Sequence, residues 1–121
     1  MRLCSEYSAV VTSHLDVTAE RHPQRIIVRL RGELDVSNHD DLRAVIYQLL
    51  ETGPLPVVVD LSGLTFADCG GMAVLIAVRN RLAVHGFDLR VTAPQPIVRR
   101  LLTVTGMDTL LHLGEDEHHA T

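Results

Sequence analysis

A chain of 121 residues, 46% hydrophobic and 21% charged, has room for one domain around one core, and its composition is ordinary for a soluble globular protein. The formal charge of −4 argues against a binder of duplex nucleic acid, which needs a basic face to neutralise phosphates, and Arg99-Arg100 is too small a cluster to reverse that. Aromatic residues make up only 3% and Trp is absent, so the core is expected to be aliphatic, built from Val, Leu, Ile and Ala.

Residues 1–9 show no clear periodicity and read as a lead-in. Leu15 and Val17 alternate with His14, Asp16 and Thr18, the pattern of a first strand. After a polar turn, Arg21-His22-Pro23-Gln24, a second strand follows. There Ile26, Val28 and Leu30 alternate with Ile27, Arg29 and Arg31, and the spacing makes the two strands a hairpin. A helix is predicted from Val36 to Thr52. Ser37 or Asn38 caps it, and Asp40 and Asp41 bring negative charge to its first turn. Leu42, Val45, Ile46, Leu49 and Leu50 form one apolar stripe, and Gly53-Pro54 ends the helix.

The β-branched run Val57-Val58-Val59 opens a buried third strand to Leu61, and a loop then leads to Asp68. A second helix is predicted from Asp68 to about His85, with Gly86 as its stop. Leu75, Val78 and Leu82 face inward; Met72, Ile76, Arg79 and Ala83 lie on a neighbouring face. Met72 and Ile76 are either core residues or contacts for a partner. Phe87, Leu89 and Val91 mark a fourth strand. Pro94 and Pro96 introduce a third helix with Ile97, Leu101 and Val104 inside and Gly106 at its close. Leu110 to Leu113 reads as a last short strand, and residues 115–121 as a flexible acidic tail containing His118 and His119. The order β-β-α-β-α-β-α-β implies an α/β fold: one domain over residues 10–114, with a mixed, mostly parallel sheet of about five strands covered by helices.

Cys4 and Cys69 form no CxxC pair and have no histidines at zinc-ligand spacing, which suggests a reduced, cytoplasmic protein. The longest apolar run, Met72 to Val78, falls far short of the roughly 20 residues that cross a bilayer. Arg2 is followed by no apolar signal core.

The start of the second helix is the candidate for function. Asp68 stands at the N-cap, where its carboxylate can accept from the N–H of Gly70 or Gly71. Those two glycines leave the first turn open to a partner or an anion. Cys69 beside them is either a small, partly buried residue or a thiol favoured by the helix dipole, with Asp68 opposing that effect. Asp35, at the end of the second strand, should approach Asp68 if both loops lie at one end of the sheet, where open α/β sheets bind their partners. The two carboxylates could hold a metal or act as acid and base, but no further residue supports such a site, and Asp35 reads more simply as a partner contact or a helix-entry cap. His14, His22, His39, His85 and His112 share no spacing and read as structural or exposed. His118-His119 offers at most a weak transition-metal site. No metal and no cofactor is expected.

The segments Arg31-Gly32-Glu33-Leu34-Asp35-Val36-Ser37, Val58 to Gly71, and Leu101-Leu102-Thr103-Val104-Thr105-Gly106-Met107-Asp108 together resemble a STAS domain. More narrowly, they resemble the bacterial anti-sigma factor antagonists, over roughly residues 12–113. The resemblance implies a binding switch and not an enzyme. Such an antagonist docks on an anti-sigma factor, often one with a serine-kinase fold of the histidine-kinase-like ATPase type, and frees a sigma factor for transcription. That partner ends the interaction by phosphorylating a Ser or Thr in an Asp-Ser-Ser-Gly motif. Matched to the motif, Asp68 takes the Asp, Cys69 the first Ser, Gly70 the acceptor and Gly71 the Gly. Asp35, Ser37, Asp68, Cys69, Gly70, Gly71, Met72 and Ile76 are thereby the implied partner-binding residues. Gly70 carries no hydroxyl, so the usual off-switch is missing or lies elsewhere, with Ser62 and Thr65 as alternative acceptors. The expectation is an antagonist insensitive to phosphorylation, in which Gly70→Ser restores an acceptor. The implied partner is an anti-sigma factor, with no nucleic acid and no membrane, and the protein itself is expected as a monomer or weak homodimer.

Two other classes compete. An enzyme using Cys69 would need a base held by a third group, and no sequence feature supplies one. A STAS module sensing a nucleotide or small ligand could receive an anion at the glycine pair, although the chain has no phosphate-loop motif.

Overall fold

Along the second predicted strand Ile26, Val28, Leu30 and Leu34 are buried while Arg29, Arg31 and Glu33 are exposed, so one face of the sheet carries the core and the other is charged. The computed structural model describes residues 6–12 and 14–114. Its strands are β1 (Glu6–Thr12), β2 (Leu15–Arg21), β3 (Ile26–Leu34), β4 (Val57–Ala67) and β5 (Leu89–Thr92). The helices are α1 (His39–Glu51), α2 (Cys69–Ala83), α3 (Pro96–Thr105) and α4 (Met107–Leu110). The five strands lie side by side in chain order. β1, β2 and β3 are antiparallel neighbours; β3, β4 and β5 run parallel, linked through α1 and α2.

The mixed sheet and its helices agree with the sequence reading, but the membership of the sheet does not. Residues 6–9, expected in a lead-in, form β1 together with residues 10–12, which pairs with β2 from Glu6 opposite Arg21 to Thr12 opposite Leu15. The predicted last strand at 110–113 is instead the end of α4 and a turn, and only Gly114 bridges Thr92. Residues 1–5 and 115–121, with Cys4, His118 and His119, lie outside the described residues.

α1 buries Leu42, Ile46 and Leu50, with Val45 and Leu49 half-buried against the same core, as the stripe predicts. Its C-terminal end is held by Arg21 of β2, whose guanidinium donates to the carbonyls of Leu49 at 3.2 Å and Gly53 at 2.5 Å, groups that a helix end leaves unpaired. α2 buries Val74, Leu75, Val78 and Leu82. Arg81 of α2 stacks over the Tyr47 ring of α1, 4.6 Å from its centroid. α3 is rotated from expectation: Val98 and Leu102 are buried, Leu101 is half-buried, and Ile97 and Val104 are 59% and 74% exposed. A run of apolar residues at neighbouring positions offers two possible inward faces, and packing on the sheet selects one of them.

β4 is longer than the sequence implies, and its extension positions the site. Residues 62–66 were expected in a loop but continue the parallel ladder beside β3 to Phe66 opposite Glu33 and Ala67 opposite Leu34. Two register shifts interrupt that ladder, one on each side of the Arg31–Gly32 pair. Gly32 sits in the irregular stretch with φ +111°, and a Cβ there would run into the carbonyl of His14. Glu33 N–H donates to that same carbonyl at 2.8 Å. Only glycine accepts both the dihedral and the approach.

Candidate functional site

Because β3 and β4 are parallel and end in register, the residues that follow them leave the sheet side by side. Asp68 N–H donates to the Leu34 carbonyl at 3.2 Å, fastening the entrance of α2 to the exit of β3. Asp68 is extended (φ −107°, ψ 172°), and its Oδ1 accepts from Gly71 N–H at 2.7 Å. The first helical bond, Met72 N–H to the Asp68 carbonyl, is 3.1 Å. Asp68 is thus the N-cap that the sequence predicts, with Gly71 as the donor it satisfies.

On the other side, Asp35 does not open a helix. Its Oδ1 accepts from the Ser37 hydroxyl at 2.6 Å and the Ser37 N–H at 3.0 Å, closing a tight Asx turn. The Ser37 hydroxyl first, and its amide second, hold the Asp35 carboxyl below its ordinary value; burial opposes them, and His14 and His39 add attraction. Asn38 is fully buried, accepting from Asp35 N–H at 3.1 Å and donating to the Glu33 carbonyl at 3.0 Å. Its side chain is therefore turned back to β3 and gives no cap bond to α1, which starts at His39 and not at Val36.

The sequence-derived residues separate into two groups. Asp35, Ser37, Asp68, Cys69 and Gly70 meet at one corner of the molecule, half-buried or exposed. Gly71 and Met72 are buried and cannot be partner contacts in this conformation. A Cβ on Gly71 would fall 2.5 Å from Leu34 Cγ, and Met72 is 0% exposed. Ile76 is half-buried against the core. Ser62 and Thr65 lie on β4. Ser62 N–H donates to Asp60 Oδ1 at 2.9 Å, and the Thr65 hydroxyl donates to the Gly32 carbonyl at 3.0 Å. Cys69 is a free, exposed thiol. Among the described residues no group of three or more His, Cys, Asp or Glu is placed to hold a metal.

Three residues of this corner escape sequence reasoning. His39, the first residue of α1, directs Nε2 at Asp68 Oδ1 over 2.8 Å. The two are 29 positions apart, so no local spacing announces the pair. Val36 is 82% exposed on the Asx turn, and Phe66 is 42% exposed at the end of β4. Val36 falls outside the apolar stripe of α1, which is its sequence signal; Phe66 has none, because the sequence around it predicts a loop.

The family model described as STAS domain matches residues 16–120. The chain belongs to the STAS domain family. It is 29% identical over 107 residues to the anti-sigma-F factor antagonist RsfA of Mycobacterium tuberculosis, covering 87% of this chain and 84% of that one. It is 28% identical over 108 residues to the anti-sigma F factor antagonist of Paenibacillus polymyxa, covering 88% and 92% of the two chains. Among solved structures it is similar to an anti-sigma factor antagonist from Mycobacterium paratuberculosis, with TM-score 0.72 and 29% identity over 82% of this chain and 84% of that one. The fold is shared with unphosphorylated SpoIIAA at TM-score 0.67 and 21% identity, over 95% and 92% of the two chains. No helix among the described residues is long and apolar enough to cross a membrane.

Proposed function

We propose that this protein is an anti-sigma factor antagonist that docks, through the corner formed by β3, β4 and α2, on an anti-sigma factor of the histidine-kinase-like ATPase type, and thereby releases a sigma factor. The observation that carries this reading is the open start of α2. Cys69 and Gly70 are exposed there next to the capping Asp68, with Val36 exposed on the turn that leaves β3 and Phe66 exposed at the end of β4. Two apolar anchors rimmed by polar groups are the composition of an interface centre, and each anchor fully buried on docking contributes about 1.5–3 kcal/mol. The relatives' names support the class of partner.

Gly70 offers no hydroxyl for phosphorylation, and Asp68 already places a negative charge beside it. A phosphate there would add about −1.5 to −2 more. We therefore read the protein as an antagonist that its kinase cannot switch off at this position, acting in the cytoplasm. The test is affinity capture from the native cell with the wild-type protein and with Val36→Asp. The wild type should retain an anti-sigma factor with an ATPase domain, and the variant should lose it. Recovery of no anti-sigma factor refutes the assignment. Incubation of the pair with ATP should leave the mass of the antagonist unchanged; a stoichiometric phosphate would refute the missing switch.

A further inference from the structure

The space beside Gly70 is already taken. An ideal Cβ on Gly70 would lie 2.5 Å from Cε1 of His39, 3.2 Å from its Nδ1 and 3.5 Å from its Nε2. The edge of the imidazole thus stands where a side chain at position 70 would begin. Asp68 holds the ring there through the 2.8 Å contact to Nε2. A carboxylate facing Nε2 selects the tautomer with the proton on that nitrogen, so the lone pair is left on Nδ1. Nδ1 makes no hydrogen bond among the described residues and is not among their buried unpaired atoms.

We propose that His39 is the specificity-determining side chain of the docking face: it stands in for the side chain that Gly70 lacks and offers Nδ1 as an acceptor to a hydrogen-bond donor on the anti-sigma factor. The inference rests on the docking reading above and adds the group that the partner reads. It also sets the His39–Asp68 contact against a side chain at position 70, where a Cβ requires the ring to shift. Gly70→Ser supplies a hydroxyl, but only by displacing the ring and weakening its bond to Asp68. The sequence expectation that a serine here simply restores an acceptor is thereby revised. The restored site would have lost the feature that the partner of this chain is matched to. Asp35 and Asp68 are acidic neighbours of the ring, and the Oδ1 of each is turned inward to an N–H of its own turn.

The test uses the anti-sigma factor recovered by the wild-type protein as the probe. Its affinity is measured for wild type, His39→Ala, Gly70→Ser and the double variant, each checked to be folded at the assay temperature. Either single change should weaken binding by about tenfold or more, and the double variant should be no weaker than His39→Ala alone. Binding of His39→Ala within about twofold of wild type, or losses that add, overturns the proposal. Phe66→Ala serves as the reference for the face itself. If it weakens binding while His39→Ala does not, only the role of His39 falls; if neither matters, the docking reading falls too. A second measurement needs no partner. Long-range proton–nitrogen NMR at about pH 8, above the ordinary imidazole range, should show His39 protonated on Nε2 in the wild type and released from that state in Gly70→Ser. A proton on Nδ1, or a His39 signal indifferent to Gly70→Ser, overturns the geometry.

Discussion

Gly70 and Gly71 are adjacent in one helix, yet alanine should act on them in opposite ways. At Gly71 the new methyl meets Leu34 Cγ at 2.5 Å, Leu34 Cδ2 at 2.8 Å and the capping oxygen of Asp68 at 3.2 Å. Leu34 is 0% exposed, so it has no open space to withdraw into. Overpacking of this kind costs about 1–3 kcal/mol. Loosening the cap adds about 1 kcal/mol, and the better helix propensity of alanine returns about 1 kcal/mol. The net is a loss of about 2 kcal/mol, or a melting temperature lower by about 8 °C for a domain of this size. At Gly70 the three atoms nearest the new methyl all belong to the His39 ring, the end of a flexible side chain that can swing aside. The propensity gain of about 1 kcal/mol then offsets the weakened His39–Asp68 bond, and stability should stay within about 1 kcal/mol of wild type. Urea unfolding of the two alanine variants, analysed with a common slope, gives both numbers. The reasoning is refuted if Gly71→Ala is as stable as wild type, or if Gly70→Ala is the more damaging change.

Asp68→Ala removes the cap of α2 and the partner of His39 together, and should destabilise by about 1–3 kcal/mol, with faster amide exchange at Gly71 as its local signature. Met72→Ala should cost about 2–5 kcal/mol in urea unfolding, the range of a core truncation; a change near zero would return Met72 to the surface. Ser37→Ala should raise the titration midpoint of the Asp35 carboxyl carbon, because the leading cause of its lowered value is gone. Since that value is lowered in the folded protein, the stabilisation it brings is complete above the unfolded-chain value and fades as pH falls through the folded one. The acid limb of the stability–pH curve should therefore be flatter in Ser37→Ala than in wild type.

The local patterns of the chain carry the fold well wherever one face of an element is apolar. The alternation Ile26-Val28-Leu30, the stripe Leu42-Ile46-Leu50 and the cap at Asp68 are all as the residues suggest. Failure comes where pairing decides. Residues 62–67 contain Gly63 and little alternation, and only the parallel ladder on β3 makes them strand. In the same way, Ile97 and Val104 look like core until the sheet selects Val98 and Leu102. At the site, the cap at Asp68 is legible because a helix start is written in neighbouring residues, whereas Ser37, expected as a cap of α1, instead closes the Asp35 turn. His39 and Phe66 are not legible, because their roles depend on chain segments that only the sheet brings together.

Every strand in this sheet lies next to the one made just before it. A ribosome extruding the chain would therefore release each new strand toward a neighbour already in place, with no slot kept vacant for a later arrival. Assembly can zip from the first hairpin outward, and shortening the chain from its C-terminal end should leave the antiparallel ladder of the first three strands intact longest, as read by amide protection in a truncation series.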